Sequence, residues 1–180
     1  PGGDPSDTEP SNIWSESNLN TVNLNTNYLN SLGTTWQNKI ATHSWKVGEV
    51  TYDNVHNGTP RTVYNYEVGS NSSSTTYSAK IGLMYVSDYG YAMSPDYWNS
   101  EITNVDNWMY MGLDEWTIRS SDISNSAFYV YNYNGSVSDN NVHDSGYYSG
   151  DYAVRPVFYL NSNVTYVSGT GTQSDPIRIS

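Results

Sequence analysis

The chain has 180 residues, a formal net charge of -11, only 14% charged residues and no cysteine. That length suits one domain with a sizeable core. The acidity disfavours nucleic-acid backbones and anionic membranes, and the missing thiols exclude disulfides, thiolate nucleophiles and cysteine-based metal sites.

The opening Pro1-Gly2-Gly3-Asp4-Pro5 stretch is polar and rich in turn formers, so residues 1–12 are read as a linker or tail. A leader or anchor is expected upstream of it, and residues 13–180 are read as one ligand-binding domain. From Trp14 a helical region is predicted, with Ser15 or Ser17 as N-cap. Tyr28, Leu32, Trp36 and Ile40 recur at helical spacing and read as a core-facing stripe. Gly33 interrupts it, which predicts two short helices or one kinked helix across 23–42.

After Trp45 the signals change to strands and turns. Lys46–Val50, Arg61–Val68 and Lys80–Ser87 carry β-branched and aromatic residues and read as strands. Asp88–Tyr91 reads as a turn, and Ser94-Pro95 as the start of a brief helix. A short strand is predicted at Glu115–Arg119. Ala127–Tyr133 and Ser136–Val142 flank Asn134-Gly135, the strongest hairpin signal in the chain. Val154–Leu160 reads as a core strand whose Pro156 must lie at an edge or a bulge. Helices first, followed by many short strands and long loops, define an α+β chain with a mainly antiparallel sheet.

The most informative stretch is Ser120 to Ala153. Its 34 residues use ten residue types: Ser, Asn, Asp, Tyr, Gly, Val, Ala, Ile, Phe and His. Lys, Glu, Gln, Met and Trp make up 21 of the 180 residues, so composition alone would place about four in this window. It contains none. Those five types all need a purine at the third codon position, whereas all ten present can end in a pyrimidine. Chemically, Tyr supplies a large rigid contact with little rotamer entropy to lose, and Ser, Asn and Asp supply short hydrogen-bonding groups. Tyr also outnumbers Phe 18 to 2 over the whole chain, a bias that predicts an extracellular surface protein.

The order of Glu115-Trp116-Thr117-Ile118, Ala127-Phe128-Tyr129-Val130, Asn134-Gly135-Ser136-Val137 and Val154-Arg155-Pro156-Val157-Phe158-Tyr159-Leu160 resembles the C-terminal part of the C-type lectin fold. The branch it resembles is the one shared by formylglycine-generating enzymes and the variable proteins of diversity-generating retroelements. Ile81–Ala92 and Ser168–Thr172 look like secreted or pilin-like surface proteins of gut Firmicutes. The likeness covers roughly residues 14–180, and its sharp motifs lie in 81–92 and 115–160. It implies a fixed lectin-like frame carrying a patch rich in Tyr, Asn, Ser, Asp and Gly, the vocabulary left when adenines of a coding region are randomised. One departure is that about 27 residues follow the window, where members of that family often end sooner.

The expected ligand-binding residues are Tyr129, Tyr131, Tyr133, Asp139, Asn140, Asn141, His143, Asp144, Tyr147, Tyr148 and Asp151. A second rim comes from Ser120–Asn125, with Ser121, Asp122, Ser124 and Asn125 as contacts. Hairpin alternation assigns Phe128, Val130, Val137 and Val142 to the scaffold instead. Trp14, Trp36 and Trp45 are expected in the core of the helical half, and Trp108 and Trp116 beneath the loops. Arg155, alone in an apolar strand, is expected to brace those loops from behind.

Calcium is weighed on Asp139, Asp144 and Asp151 with Asn140 and Asn141 as oxygen donors. No D-x-[DN]-x-[DN]-G spacing supports it, so no cofactor is expected. Enzymatic readings lack their signatures. The formylglycine-generating chemistry of the similar fold needs Cys, and Asp114-Glu115 is a sequential pair that a strand would point to opposite faces. No G-x-S-x-G accompanies His43, His56 or His143, each read as a surface or turn residue. The expectation is a non-enzymatic, adhesin-like module at the cell surface. Its partner would be a protein or glycan of neutral or basic character, with no nucleic acid and no membrane insertion. The alternative is the structural head of a pilus-like fibre.

Overall fold

The structure, a computed structural model, describes residues 12–94, 104–123, 125–142 and 152–180. Its architecture is α+β, with the described helices gathered in the first half and every named strand pair antiparallel.

The N-terminal region opens with a single 3₁₀ turn, Trp14–Glu16, and a π-helical segment, Leu19–Tyr28. Ser17 Oγ accepts the Asn20 amide at 3.2 Å, so the predicted serine does serve the helix start. Asn25 explains why this polar helix docks. Its side chain accepts from Ile81 N and donates to Ile81 O, both at 2.9 Å, as a neighbouring strand would. α1 (Leu29–Ser31) and α2 (Gly33–Lys39) meet at Gly33, whose φ of +73° makes the predicted break. The stripe on these helices is shallower than expected. Ile40 is buried and Tyr28 and Leu32 are half-buried, but Trp36 faces solvent. Asn12, assigned to the linker by its sequence, instead donates to Ser126 O at 2.9 Å and belongs to the folded body.

β1 (His43–Lys46) pairs with β2 (Thr76–Ala79), and between them lie α3 (Tyr52–His56) and α4 (Pro60–Glu67). The helix α4 replaces the strand predicted over 61–68. Thr59 caps it by accepting Thr62 N, Pro60 occupies its first turn, and Pro60, Val63 and Glu67 share the buried face. Helical spacing and capping thus outweigh the strand propensity of Val and Tyr. Ile81–Ser87 is buried throughout, as its apolar run requires, yet only β3 (Gly82–Leu83) is extended. α5 (Val86–Tyr91) follows where a turn was expected. Two carboxylates nucleate it: Asp88 accepts Tyr85 N at 2.9 Å, while fully buried Glu67 accepts Val86 N and Ser87 N at 3.0 and 2.8 Å. Glu67 also shares the interior with the buried guanidinium of Arg119.

β4 (Glu115–Ser120), β5 (Ser126–Val130) and β6 (Val137–Asn141) form a three-stranded sheet in that order. Of the core strand expected over Val154–Leu160 only β7 (Pro156–Val157) is extended, and the segment is half-buried to exposed; β7 pairs with β3, leaving Pro156 on a short edge strand as its missing N–H requires. β8 (Tyr166–Ser168) and β9 (Arg178–Ile179) close the chain. The single antiparallel sheet read from the sequence is therefore divided into small sheets, stitched by bridges such as Ile40 to Leu160 and Val50 to Ser121. Two apolar clusters fill the gaps. One gathers Trp14, Trp45, Ile81, Leu83, Trp116 and Ile118. The other gathers Val55, Val63, Met84, Tyr89, Phe128 and Val130.

Candidate functional site

The β5–β6 hairpin supplies the frame. Phe128, Val130, Val137 and Val142 are all buried, as expected of the scaffold. Val130 and Val137 are the last paired residues, so the strands are shorter than the sequence suggested and the connection runs over 131–136. Tyr131 N donates to Ser136 O and Gly135 N to Tyr131 O, while Asn134 Oδ1 accepts from both the amide and the hydroxyl of Ser136. Gly135, at φ +70°, closes this turn. A Cβ there would lie 2.9 Å from the Tyr89 hydroxyl and 3.0 Å from the Asn104 carbonyl. Released from the ladder, Tyr131 is 39% exposed and Tyr133 is 80% exposed.

The tyrosines form a graded aromatic ribbon. Trp116 is buried and stacks on Tyr152 with centroids 4.1 Å apart and planes 16° from parallel. Tyr129 meets both rings edge-on, Tyr131 lies 6.2 Å beyond Tyr129, and Tyr133 another 6.3 Å further out. Buried rings at one end fix the orientation of the exposed rings at the other. Burial raises the Tyr129 hydroxyl above the usual phenol range, reinforced by neighbouring Tyr152 and Asp114, so it remains protonated.

A second element lies against this turn. The 104–114 loop is pinned to it by Asn104 N to Asn134 O at 2.7 Å, Tyr110 Oη to Asn132 O at 2.5 Å and Asn132 N to Asp114 Oδ1 at 2.8 Å. From below, Arg155 holds the same loop by donating to Met109 O at 2.7 Å, while its fork grips Glu115. Arg155 therefore braces the 104–114 loop, not the loops of the Ser120–Ala153 window that it was expected to support. The loop presents Trp108 at 78% exposure, with Met111 and Leu113 each about half exposed. Trp108 does not pack beneath the loops as expected. The neighbouring Asn107 takes the inward position, donating to Tyr89 O at 2.7 Å and accepting Met109 N. Trp108 and its neighbours were missed because a tryptophan is ordinarily read as core, and only the tertiary bond of the buried Asn107 before it turns it outward.

The remaining predicted residues divide. Ser121 is buried and cannot contact a ligand: its backbone bridges Val50 and bonds to Ser126, and its hydroxyl accepts Ile123 N. Asp122 is exposed but its carboxylate accepts Tyr52 N at the start of α3. Asn125 adopts φ +60°, and its carbonyl receives Val142 N, a turn role. Asn140 directs its amide to the Tyr152 hydroxyl at 2.6 Å, and Asn141 is exposed. Asp139 is half-buried beside these. Ser124, His143, Asp144, Tyr147, Tyr148 and Asp151 lie outside the described residues. Of the predicted set, Tyr129, Tyr131 and Tyr133 are thus brought together, whereas the Ser120–Asn125 rim is largely structural.

Among the described residues no three His, Asp or Glu side chains converge on a common point, and no helix is long and apolar enough to cross a membrane. His43, read as a surface or turn residue, opens β1 at the half-buried rim and packs on Tyr159 and Trp45 with centroids 4.2 and 4.9 Å away, and burial lowers its pKa. His56 stacks on Tyr52 within α3. No protein-family model, curated protein or solved structure matches this chain.

Proposed function

We propose that the chain is an extracellular, non-enzymatic recognition module of C-type lectin-like build, similar to the variable proteins of diversity-generating retroelements. Its binding surface is the 131–136 turn together with the 104–114 loop. The observation that carries this reading is the outward position of Tyr131 and Tyr133 on a hairpin whose other face is buried. Exposed rings held by buried ones offer contact area whose ordering cost was met during folding. The family likeness rests on the restricted vocabulary of Ser120–Ala153 and on the motifs of 115–160. The non-enzymatic reading rests on the buried carboxylates being committed to structure, Glu67 to two amides and Glu115 to Arg155. The test is side-by-side capture on glycan and protein arrays by the wild-type chain and a Tyr131→Ala/Tyr133→Ala variant. The reading expects specific signals that the variant loses, and equal signals from both would overturn it.

A second reading, a structural head in a surface fibre, is favoured by the β8–β9 hairpin. Tyr166, Val167 and Ile177 are exposed there on a two-stranded sheet with open edges. Cross-linking over a concentration series, with Val167→Lys as control, separates it from the first.

A further inference from the structure

The charge distribution around the recognition surface narrows the class of partner. Each Lys and Arg can be placed. Lys46 donates to Ser73 O, Lys80 to Gln37 O, and Arg178 pairs with Asp175. Arg119 is buried, and Lys39 and Arg61 stand on α2 and α4. Among the described residues the cation bonded to the 104–114 loop is Arg155, and its charge is matched by Glu115. The surface itself carries two further carboxylates, exposed Asp106 on the loop and half-buried Asp114 beneath the turn. The π-faces of Tyr133 and Trp108 therefore project from a locally anionic neighbourhood on a chain of net charge -11.

Aromatic faces and carboxylates favour the same kind of guest. A guanidinium or ammonium is attracted by the ring quadrupole, most strongly on Trp, and by the nearby negative charge. An anionic guest meets only repulsion, and a neutral sugar gains stacking without the Coulomb contribution. We propose that this surface docks a protein segment bearing exposed Arg or Lys, with cations seated on the exposed Tyr133 and Trp108 rings and the carboxylates of Asp106 and Asp114 as counter-charges. This rests on the turn and loop being the binding surface, and adds the chemistry of what they hold.

The experiment titrates the complete chain with Arg-containing peptides and with the same peptides carrying citrulline, an isosteric but uncharged side chain. Neutral oligosaccharides are titrated alongside. Binding is followed by the indole resonance of Trp108, assigned through Trp108→Ala. The expected result is binding about tenfold tighter for Arg than for citrulline, weakening as salt is raised. Trp108→Ala and Tyr133→Ala should abolish it, and Asp106→Asn should reduce both affinity and salt dependence. Equal binding of the Arg and citrulline peptides, or no binding of either, overturns the cationic inference. Oligosaccharide binding that Tyr133→Ala removes would overturn it too, while leaving the surface itself in place. Binding unaffected by either aromatic substitution would overturn both the inference and the surface.

Discussion

Arg155 and Glu115 form a two-point ion pair, Nε to Oε1 at 2.9 Å and Nη2 to Oε2 at 3.0 Å, between residues 40 positions apart. The carboxylate is buried and the guanidinium partly wet, so the pair joins the start of β4 to the segment entering β7 at the edge of the interior. Arg155 Nη2 also holds the Met109 carbonyl. One side chain therefore ties the sheet to the loop that displays Trp108.

Replacing Arg155 with Ala strands the Glu115 carboxylate in the interior. Burial already raises the pKa of Glu115, and Arg155 is the charge opposing that rise. Discounted for the partial exposure of Arg155, the loss is about 2 kcal/mol of stability. Denaturant unfolding of Arg155→Ala, Glu115→Gln and the double variant should give a coupling well above the error of the single values. Additive losses would mean that the pair does not act as a unit.

Glu67 makes stability depend on pH. Burial pushes its pKa from 4.5 up to about 7, against the opposing pulls of Ser87, Arg119 and Val86. Between those two values the folded chain holds a proton that the unfolded chain releases. Stability from this group therefore falls as pH rises from 4.5 to about 7 and levels off above. Glu67→Gln should flatten the profile of melting temperature in that window relative to wild type. Parallel profiles for the two proteins would exclude Glu67 as the cause.

Gly135→Ala tests the frame under the turn. The added methyl would fall 2.9 Å from the Tyr89 hydroxyl and would have to adopt φ +70°. A loss of roughly 1–3 kcal/mol is expected, with weakened binding because Asn104 and its loop must shift. Thermal unfolding and capture should deteriorate together.

Tyr133→Ala and Trp116→Ala should behave oppositely, although both rings belong to one aromatic series. Tyr133 is exposed and its removal should change stability by no more than about 0.5 kcal/mol while abolishing binding. Trp116 is buried against Tyr152, and its truncation should cost about 3–5 kcal/mol. Paired unfolding and binding measurements on the two variants distinguish the display end of the series from its anchor.

The hairpin was legible in the sequence because Gly135 meets a backbone demand that few residues satisfy, and alternation around it assigned Phe128, Val130 and Val137 inward. The Gly33 break was legible for the same reason. The α4 helix was not, since Val63, Tyr64 and Tyr66 carry strand propensity, and the deciding signals were Thr59-Pro60 and the 60, 63, 67 spacing. α5 was hidden because one of its capping carboxylates, Glu67, arrives from a distant helix. At the site, Tyr131 and Tyr133 were readable from their place beside the turn. Ser121 was misread because a small polar residue serves equally in a rim or a buried crossing, and only the Val50 pairing decides. Trp108 faces outward because Asn107 takes the inward bonds, a tertiary choice no local pattern encodes.

The most direct measurement is hydroxyl-radical footprinting of the full chain, free and saturated with whichever array component it captures. Strong labelling of Tyr133 and Trp108 is expected in the free chain, with protection centred on Tyr131, Tyr133 and Trp108 in the complex. Protection centred instead on the β8–β9 hairpin, with Tyr133 and Trp108 labelled equally in both states, would contradict this reading.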